Sequence, residues 1–203
     1  MNNGYFKTGD PCADKIGVYS IPPEWWSRVY EYPWALTFAG KNMTVADMGC
    51  GWQQRPFKDA LAGICKKVYA VDQHWEVETL EPHPNMEFIV ADFTRTIKDI
   101  PDVSLDRVFC LSVLEELDTT GMYDALFEFA WLLRRGGMCI ITADVVYDPD
   151  KPTPYCGGIN PQTLVAAMKE AGLIVSGVDY DKAGAMYSEQ FNLCVFHCIG
   201  VKP

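Results

Sequence analysis

The run Val45-Ala46-Asp47-Met48-Gly49-Cys50-Gly51 joins an acid and two glycines at the end of an apolar stretch. Glycines where a strand gives way to a helix let the backbone approach a ligand closely, and ligands of open α/β sheets sit at the C-terminal ends of the strands. Asp72 ends the next apolar run about 20 residues further on, the separation at which an acid can accept hydrogen bonds from both ribose hydroxyls of a nucleoside. Asp92 and Phe93 end a third run, where the carboxylate can accept from an adenine amino group and the ring can pack nearby. A fourth run ends in Cys110-Leu111-Ser112-Val113-Leu114-Glu115-Glu116. Each has a plainer reading too: the glycines as a tight turn, Asp72 as a turn residue, Asp92 as a strand-end cap. Their order and spacing together point to a nucleoside-containing ligand.

Such residues need a sheet to hold them. Apolar runs at 44–48, 68–72, 87–91, 107–112 and 138–143 predict buried strands. Helical segments lie between several of them. One is at 55–65. Another, at 121–134, sets Ala125, Leu126, Phe129, Leu132 and Leu133 on one stripe, with Gly136-Gly137 as its stop. A third starts at Pro161 and runs to Ala171 before Gly172. Strand and helix in alternation predict a mainly parallel sheet covered on both faces. Two more strands are expected at 174–180 and 191–201. The short connection between them suits antiparallel pairing. Upstream, the polar, glycine-rich residues 1–19 predict a loose arm. Pro22-Pro23 opens an aromatic helical stretch at 24–32, which Pro33 interrupts and a second short helix follows. The division expected is an N-terminal arm and helical cap over 1–42 and a main domain over 43–203.

Composition narrows the partners. The 203 residues are 49% hydrophobic and 22% charged, ordinary for a globular chain, with a net charge of −10. Binding to phosphates needs a basic face, so neither nucleic acid nor an anionic membrane is an expected partner. No apolar run approaches the roughly 20 residues needed to span a bilayer, and residues 1–10 lack a signal-peptide pattern, so a cytoplasmic protein is expected. Eight cysteines occur with no CxxC pair, which reads as reduced core cysteines. His74, His83 and His197 show no metal-ligand spacing, and no metal site is expected.

Taken together, these segments resemble the class I S-adenosylmethionine (SAM)-dependent methyltransferases. That family carries an acid-x-Gly-x-Gly motif on its first strand, an acid at the end of the second and commonly an Asp at the end of the third. A leu-leu-arg-x-gly-gly stretch precedes its fifth strand, here Leu132-Leu133-Arg134-Arg135-Gly136-Gly137. The resemblance covers residues 43–200. It implies an α/β three-layer sandwich with a seven-stranded, mostly parallel sheet whose last strand is antiparallel. It implies SAM as cofactor, with Gly49, Cys50 and Gly51 against the methionine part and Asp47 supporting that loop. Asp72 would bind the ribose, with its neighbour Gln73 also at the cofactor, Asp92 and Phe93 would bind the adenine, and Leu111 and Ser112 would line the pocket. The chain departs from the family in two places. Gln53 stands where a third glycine is frequent, and Glu115-Glu116 replaces a frequent Glu-His, so a family histidine that can act as a base is absent.

The function expected is methyl transfer to a small-molecule acceptor, by O- or N-methylation. Transfer from a sulfonium asks chiefly for positioning and exclusion of water, since the leaving group is neutral. Glu115, Glu116, Asp144 and Tyr147 are the candidate bases near strand ends. Acceptor specificity is expected from the N-terminal aromatic stretch, the loop at 147–158 and the turn at 181–190. Trp26, Tyr30 and Trp34, spaced four apart, would dock either outside the sheet's helices as extra core or, with Arg28 and Glu31, over the cofactor as a lid. In the lid case, removing 1–39 would leave a folded, SAM-binding domain. Two alternatives remain: a non-catalytic SAM-binding or scaffold protein, and a nicotinamide-dependent oxidoreductase, although GxGxxG would need glycine where Gln54 stands. Thiol titration of fresh protein under denaturing, non-reducing conditions should find all eight cysteines free, and a consistent shortfall would contradict a reduced framework.

Overall fold

The computed structural model of the chain describes residues 3–52, 55–153 and 158–203. Gln53, Gln54, Cys156 and the middle of the loop at 147–158 lie outside the described residues. In chain order the elements are β1 (Gly4–Tyr5), β2 (Lys15–Ile16), β3 (Tyr19–Ser20), α1 (Arg28–Leu36), β4 (Thr44–Met48), α2 (Arg55–Ile64) and β5 (Lys67–Asp72). After them come β6 (Met86–Val90), β7 (Leu105–Leu111), α3 (Thr119–Leu132), β8 (Leu133–Val146), α4 (Pro161–Glu170), β9 (Tyr187–Ser188) and β10 (Leu193–Val201).

The main sheet has eight strands, in the order β1-β10-β8-β7-β4-β5-β6 with β9 on β10. Strands β4 to β8 run parallel, and β10 returns antiparallel along β8. Alternation along each central strand feeds two cores. Ala46, Met48, Val108, Cys110 and Ile141 face α3 and α4, whereas Val45, Phe109, Leu111 and Ile140 face α1 and α2. Burial on both faces explains why these strands read as continuous apolar runs. The chain steps from β4 outward to β5 and β6, then crosses back to β7 and β8. The C-terminal ends of β4 and β7 therefore form the topological switch point, where open α/β sheets bind ligands.

Four local expectations are corrected. First, the run at 174–180 is no strand. Gly177 takes a φ of 64°, which breaks the extended path, and only single bridges remain, Ile174 to Val201 and Val178 to Asn3. Second, the arm at 1–19 is not loose. β1 pairs with β10, Gly4 opposite His197 and Tyr5 opposite Phe196, and the Asn3 side chain bonds to the backbone of Ser176 and Ile199. Third, Pro33 does not split the aromatic helix, and α1 passes through it. Proline lacks the N–H that would bond the carbonyl of Val29, and the amide of Ala13 in the arm takes that carbonyl instead at 2.8 Å. Fourth, α3 stops at Leu132 rather than at the glycine pair, and β8 follows at once. Gly136, at φ 73°, lies where β8 enters its register with β7.

The N-terminal segment is also core. Tyr32 stacks on Phe57, with ring centroids 5.1 Å apart, and Tyr30 and Trp34 pack with Phe6 and Val195 on the β10 side. Removing 1–39 would uncover that sheet face and delete an edge strand, so the truncated chain is not expected to remain a folded domain. Phe6, 3% exposed, meets Trp34, Tyr30 and His197. Phe6→Ala should lower stability by about 3 kcal/mol, read as a lower urea midpoint at unchanged slope. An unchanged midpoint would mean that the arm is not part of the cooperative unit.

Candidate active site

The loop after β4 is held from three sides. The amides of Gly49 and Cys50 both donate to the carbonyl of Val71 on β5. Asp72 accepts from the amide of Gly51 at 2.7 Å through one oxygen and from that of His74 at 3.0 Å through the other. From α2, Lys58 reaches under the loop with no exposed surface, and its Nζ donates to the carbonyls of Cys50, at 2.9 Å, and Gly51. Gly49 takes φ 73°, and a Cβ there would fall 2.6 Å from the methyls of Val113. Glycine is thus required by both conformation and contact at the point where the β4 and β7 ends meet.

Burial sets the charges beneath this loop. Asp47 is 5% exposed, and burial pushes its carboxyl up to about 7, with Lys58 opposing and Asp72 adding to the shift. Burial likewise lowers Lys58 and raises the Cys50 thiol.

A second buried carboxylate holds the other wall. Glu31 of α1 has no exposed surface. It accepts from Arg28 at 2.6 Å, from the hydroxyl of Ser112 at 2.8 Å and from that of Thr142 on β8. Burial alone would raise it, but Arg28 and these hydroxyls outweigh that and hold it below the usual carboxylate range. Ser112 sits at φ 50°, uncommon for a residue other than glycine, with its amide on the carbonyl of Thr142.

Three cavities line up along the strand ends. One of about 300 Å³ lies by Asp72, Gln73, Ala91, Asp92 and Phe93. The next, about 320 Å³, runs from Asp47 and Gly49 to Gly51, past Leu111 and Ser112, under Arg28 and Tyr32. The third, about 230 Å³, is walled by Trp25, Trp26, Glu115, Glu116 and Asp144. The first two share Gly49, His74, Val113 and Glu116, and the second and third share Arg28, Ser112 and Glu116. All ten residues expected at the site from sequence thus line the first two cavities. Asp92 is also occupied as a cap, accepting from the amide and hydroxyl of Thr94. Phe93 is buried against Phe129.

Residues 46–141 match the family model for a methyltransferase domain. Among curated proteins, no sequence matches the chain significantly. Solved structures share its fold at low identity. The [4+2]-cyclase SpnF superposes with a TM-score of 0.69 at 13% identity, over 100% of this chain and 87% of that one. An S-adenosylmethionine-dependent methyltransferase from Mesorhizobium loti gives 0.65 at 11%, over 87% and 98%. The N-methyltransferase NodS from Bradyrhizobium japonicum WM9, in complex with S-adenosyl-L-homocysteine, gives 0.63 at 17%, over 90% and 88%. Over residues 46–141 the chain is thus similar to a methyltransferase domain, and it shares the fold of solved SAM-dependent methyltransferases.

The methyltransferase-domain match implies SAM as cofactor. The described residues fit that molecule on three counts. The joined first and second cavities fall in the size range of small-molecule sites. A backbone turn that tolerates no side chain at Gly49 lies between them. The walls offer acids toward one end and the cation Arg28 toward the other. Sequence reasoning missed Lys58 and Thr142. Lys58 left a signal, since it sits with Leu61 and Ala62 on the buried stripe of α2.

Asp47 gives the site a pH signature. Its carboxyl ordinarily titrates at 3.8 and in the fold at about 7, so between these values the native state binds more protons than the unfolded chain. Its contribution to stability is complete below about pH 4 and lost as pH rises to 7, with a slope of at most about 1.4 kcal/mol per pH unit. Urea titrations across that window should show a flatter profile for Asp47→Asn than for the wild type. Identical slopes would mean that Asp47 is ionised throughout.

Proposed function

We propose that the protein transfers the methyl group of SAM to a small-molecule acceptor held in the third cavity. The observation that carries this reading is the continuous row of three cavities at the switch point, the last of them opening beside the methionine end. In it, Asp72 and Gln73 hold the ribose, Asp92 and Phe93 the adenine, and Gly49, Cys50 and Gly51 the methionine moiety. Asp47 and Lys58 fix the glycine loop, and Leu111 and Ser112 form the wall. Asp72 spends one acceptor position per oxygen on Gly51 and His74, and each carboxylate oxygen can accept again, so ribose hydroxyls can be added without breaking the loop. Arg28 suits the methionine carboxylate.

The bound cofactor supplies an electrophilic methyl on a sulfonium. The chain's own work is to position the acceptor in line and keep water out, and no protein nucleophile is required. Residues 1–42 serve as the cap over residues 43–203, through Arg28, Glu31 and Tyr32 rather than through the Tyr30–Trp34 aromatics. The net charge of −10 argues against nucleic acid and membrane surfaces as partners. No helix among the described residues is long and apolar enough to cross a membrane, and the seven described cysteines are unpaired, which supports a reducing, cytoplasmic setting. No observation favours the non-catalytic or the nicotinamide reading.

Calorimetry should give micromolar SAM binding, about −8 kcal/mol. Asp72→Ala should weaken it by roughly 1.5–3 kcal/mol, since the substitution removes hydrogen bonds to a charged group as well as the anchor of Gly51. No SAM binding to folded wild type would overturn the proposal.

A further inference from the structure

The third cavity differs in chemistry from the two assigned to the cofactor. Four carboxyls line it, among them Glu115 in the turn after β7 and Asp144 near the end of β8. These two are adjacent, with the amide of Asp144 donating to Glu115 Oε1 at 3.1 Å. Two of their oxygens, Glu115 Oε2 and Asp144 Oδ1, are buried and meet no donor among the described residues. Buried acceptors without donors are costly, and two carboxyls so placed hold a proton more tightly than they would in water. Burial raises both, and Asp144 further raises Glu115.

The surroundings decide what a ligand there must be. Glu24 and Glu116 add negative charge. The one cation among the lining residues is Arg28, and Glu31 already takes its guanidinium at 2.6 Å. From β10 come Leu193 and, just before it, Phe191, neither of them charged. The remaining walls are Ser27, Ser112, whose hydroxyl is spent on Glu31, and Trp25 and Trp26, a residue type whose ring faces attract cations. An anionic ligand would face four carboxyls against a single cation that Glu31 already pairs. A hydroxyl brings one donor and no charge, whereas an ammonium brings three donors and the charge that the pocket lacks. Among the described residues, no group of three or more His, Cys, Asp and Glu is placed to hold a metal ion.

We propose that the acceptor is a small amine, bound as its ammonium beside Glu115 and Asp144 with its hydrocarbon body against Trp25 and Trp26, and that the reaction is N-methylation. This rests on the methyl-transfer reading above. The ammonium gives one proton to the Asp144 carboxylate. The freed nitrogen lone pair then forms a bond to the methyl carbon as the carbon–sulfur bond breaks, and that electron pair stays on a neutral thioether. The product leaves as a methylammonium, and the proton on Asp144 passes to solvent.

The test measures binding to the full chain with S-adenosylhomocysteine present. The probes are tryptamine against tryptophol, phenethylamine against 2-phenylethanol, and indole-3-propionate as the anionic control. The amines should bind at least tenfold tighter than their alcohols, with no binding of the carboxylate. In Asp144→Asn, and in Asp144→Asn with Glu115→Gln, the preference should fall below about threefold while S-adenosylhomocysteine affinity is retained. With SAM present, mass spectrometry should place the methyl on the amine nitrogen. Amines that bind no better than alcohols, or a preference that survives the double variant, would overturn the amine inference alone. A folded chain that binds no S-adenosylhomocysteine would overturn the methyl-transfer reading and this inference with it.

Discussion

A carboxylate with no access to water, that of Glu31, ties the N-terminal helix to the ends of two central strands. Its oxygens take Arg28 from the helix itself, Ser112 from the end of β7 and Thr142 from β8. A buried carboxylate is tolerated only when paired and hydrogen-bonded, and removing its partners would leave an uncompensated charge in the core. The bonds therefore fix where α1 can sit. That placement puts Arg28 and Tyr32 over the loop after β4 and brings Trp25 and Trp26 to the edge of β8 and β10. The same helix fills one face of the sheet with Tyr32 and Ala35, so the cleft cannot lose its roof without losing part of the core.

Lys58 acts on the opposite wall. An ammonium beneath the glycine loop is costly to bury, and it is repaid by two loop carbonyls and by the nearby acids Asp47 and Asp59. The loop is then held by backbone and charge rather than by side-chain packing, which leaves its upper surface open to a ligand. Preorganisation of this kind reduces the ordering cost when a cofactor binds. The two buried carboxylates differ for a physical reason. Glu31 has a cation and two hydroxyls as donors and stays ionised, whereas Asp47 lies deep beside another acid and draws its proton back near neutrality.

Much of the arrangement was legible in the sequence, because the central strands are buried on both faces and read as short apolar runs. The five parallel strands follow from those runs, α2 to α4 from the stripes and caps between them, and the ten cleft residues from the glycine turn and strand-end acids together with the family resemblance. What was not legible depends on contacts distant in the chain. The strand expected at 174–180 failed because Gly177 breaks it while residues 4 and 5, some 170 positions away, pair with β10. Pro33 reads as a helix breaker until Ala13 is seen to occupy the carbonyl it frees. The aromatics of α1 carried a true amphipathic signal, yet that signal marks the core side. The side that meets the sheet ends is carried by Arg28 and Glu31, and the partners of Glu31 at the end of β7 and on β8 are announced by no periodicity.

The central claim is that the cleft at the β4–β7 switch point is the cofactor site. A crystal structure of the protein with S-adenosylhomocysteine tests it most directly. The account predicts adenine beside Asp92 and Phe93, both ribose hydroxyls on Asp72, the homocysteine chain along Gly49–Gly51 and its thioether facing the cavity of Trp25, Trp26 and Asp144. A ligand bound elsewhere, or in this cleft with the thioether turned away from that cavity, would contradict it.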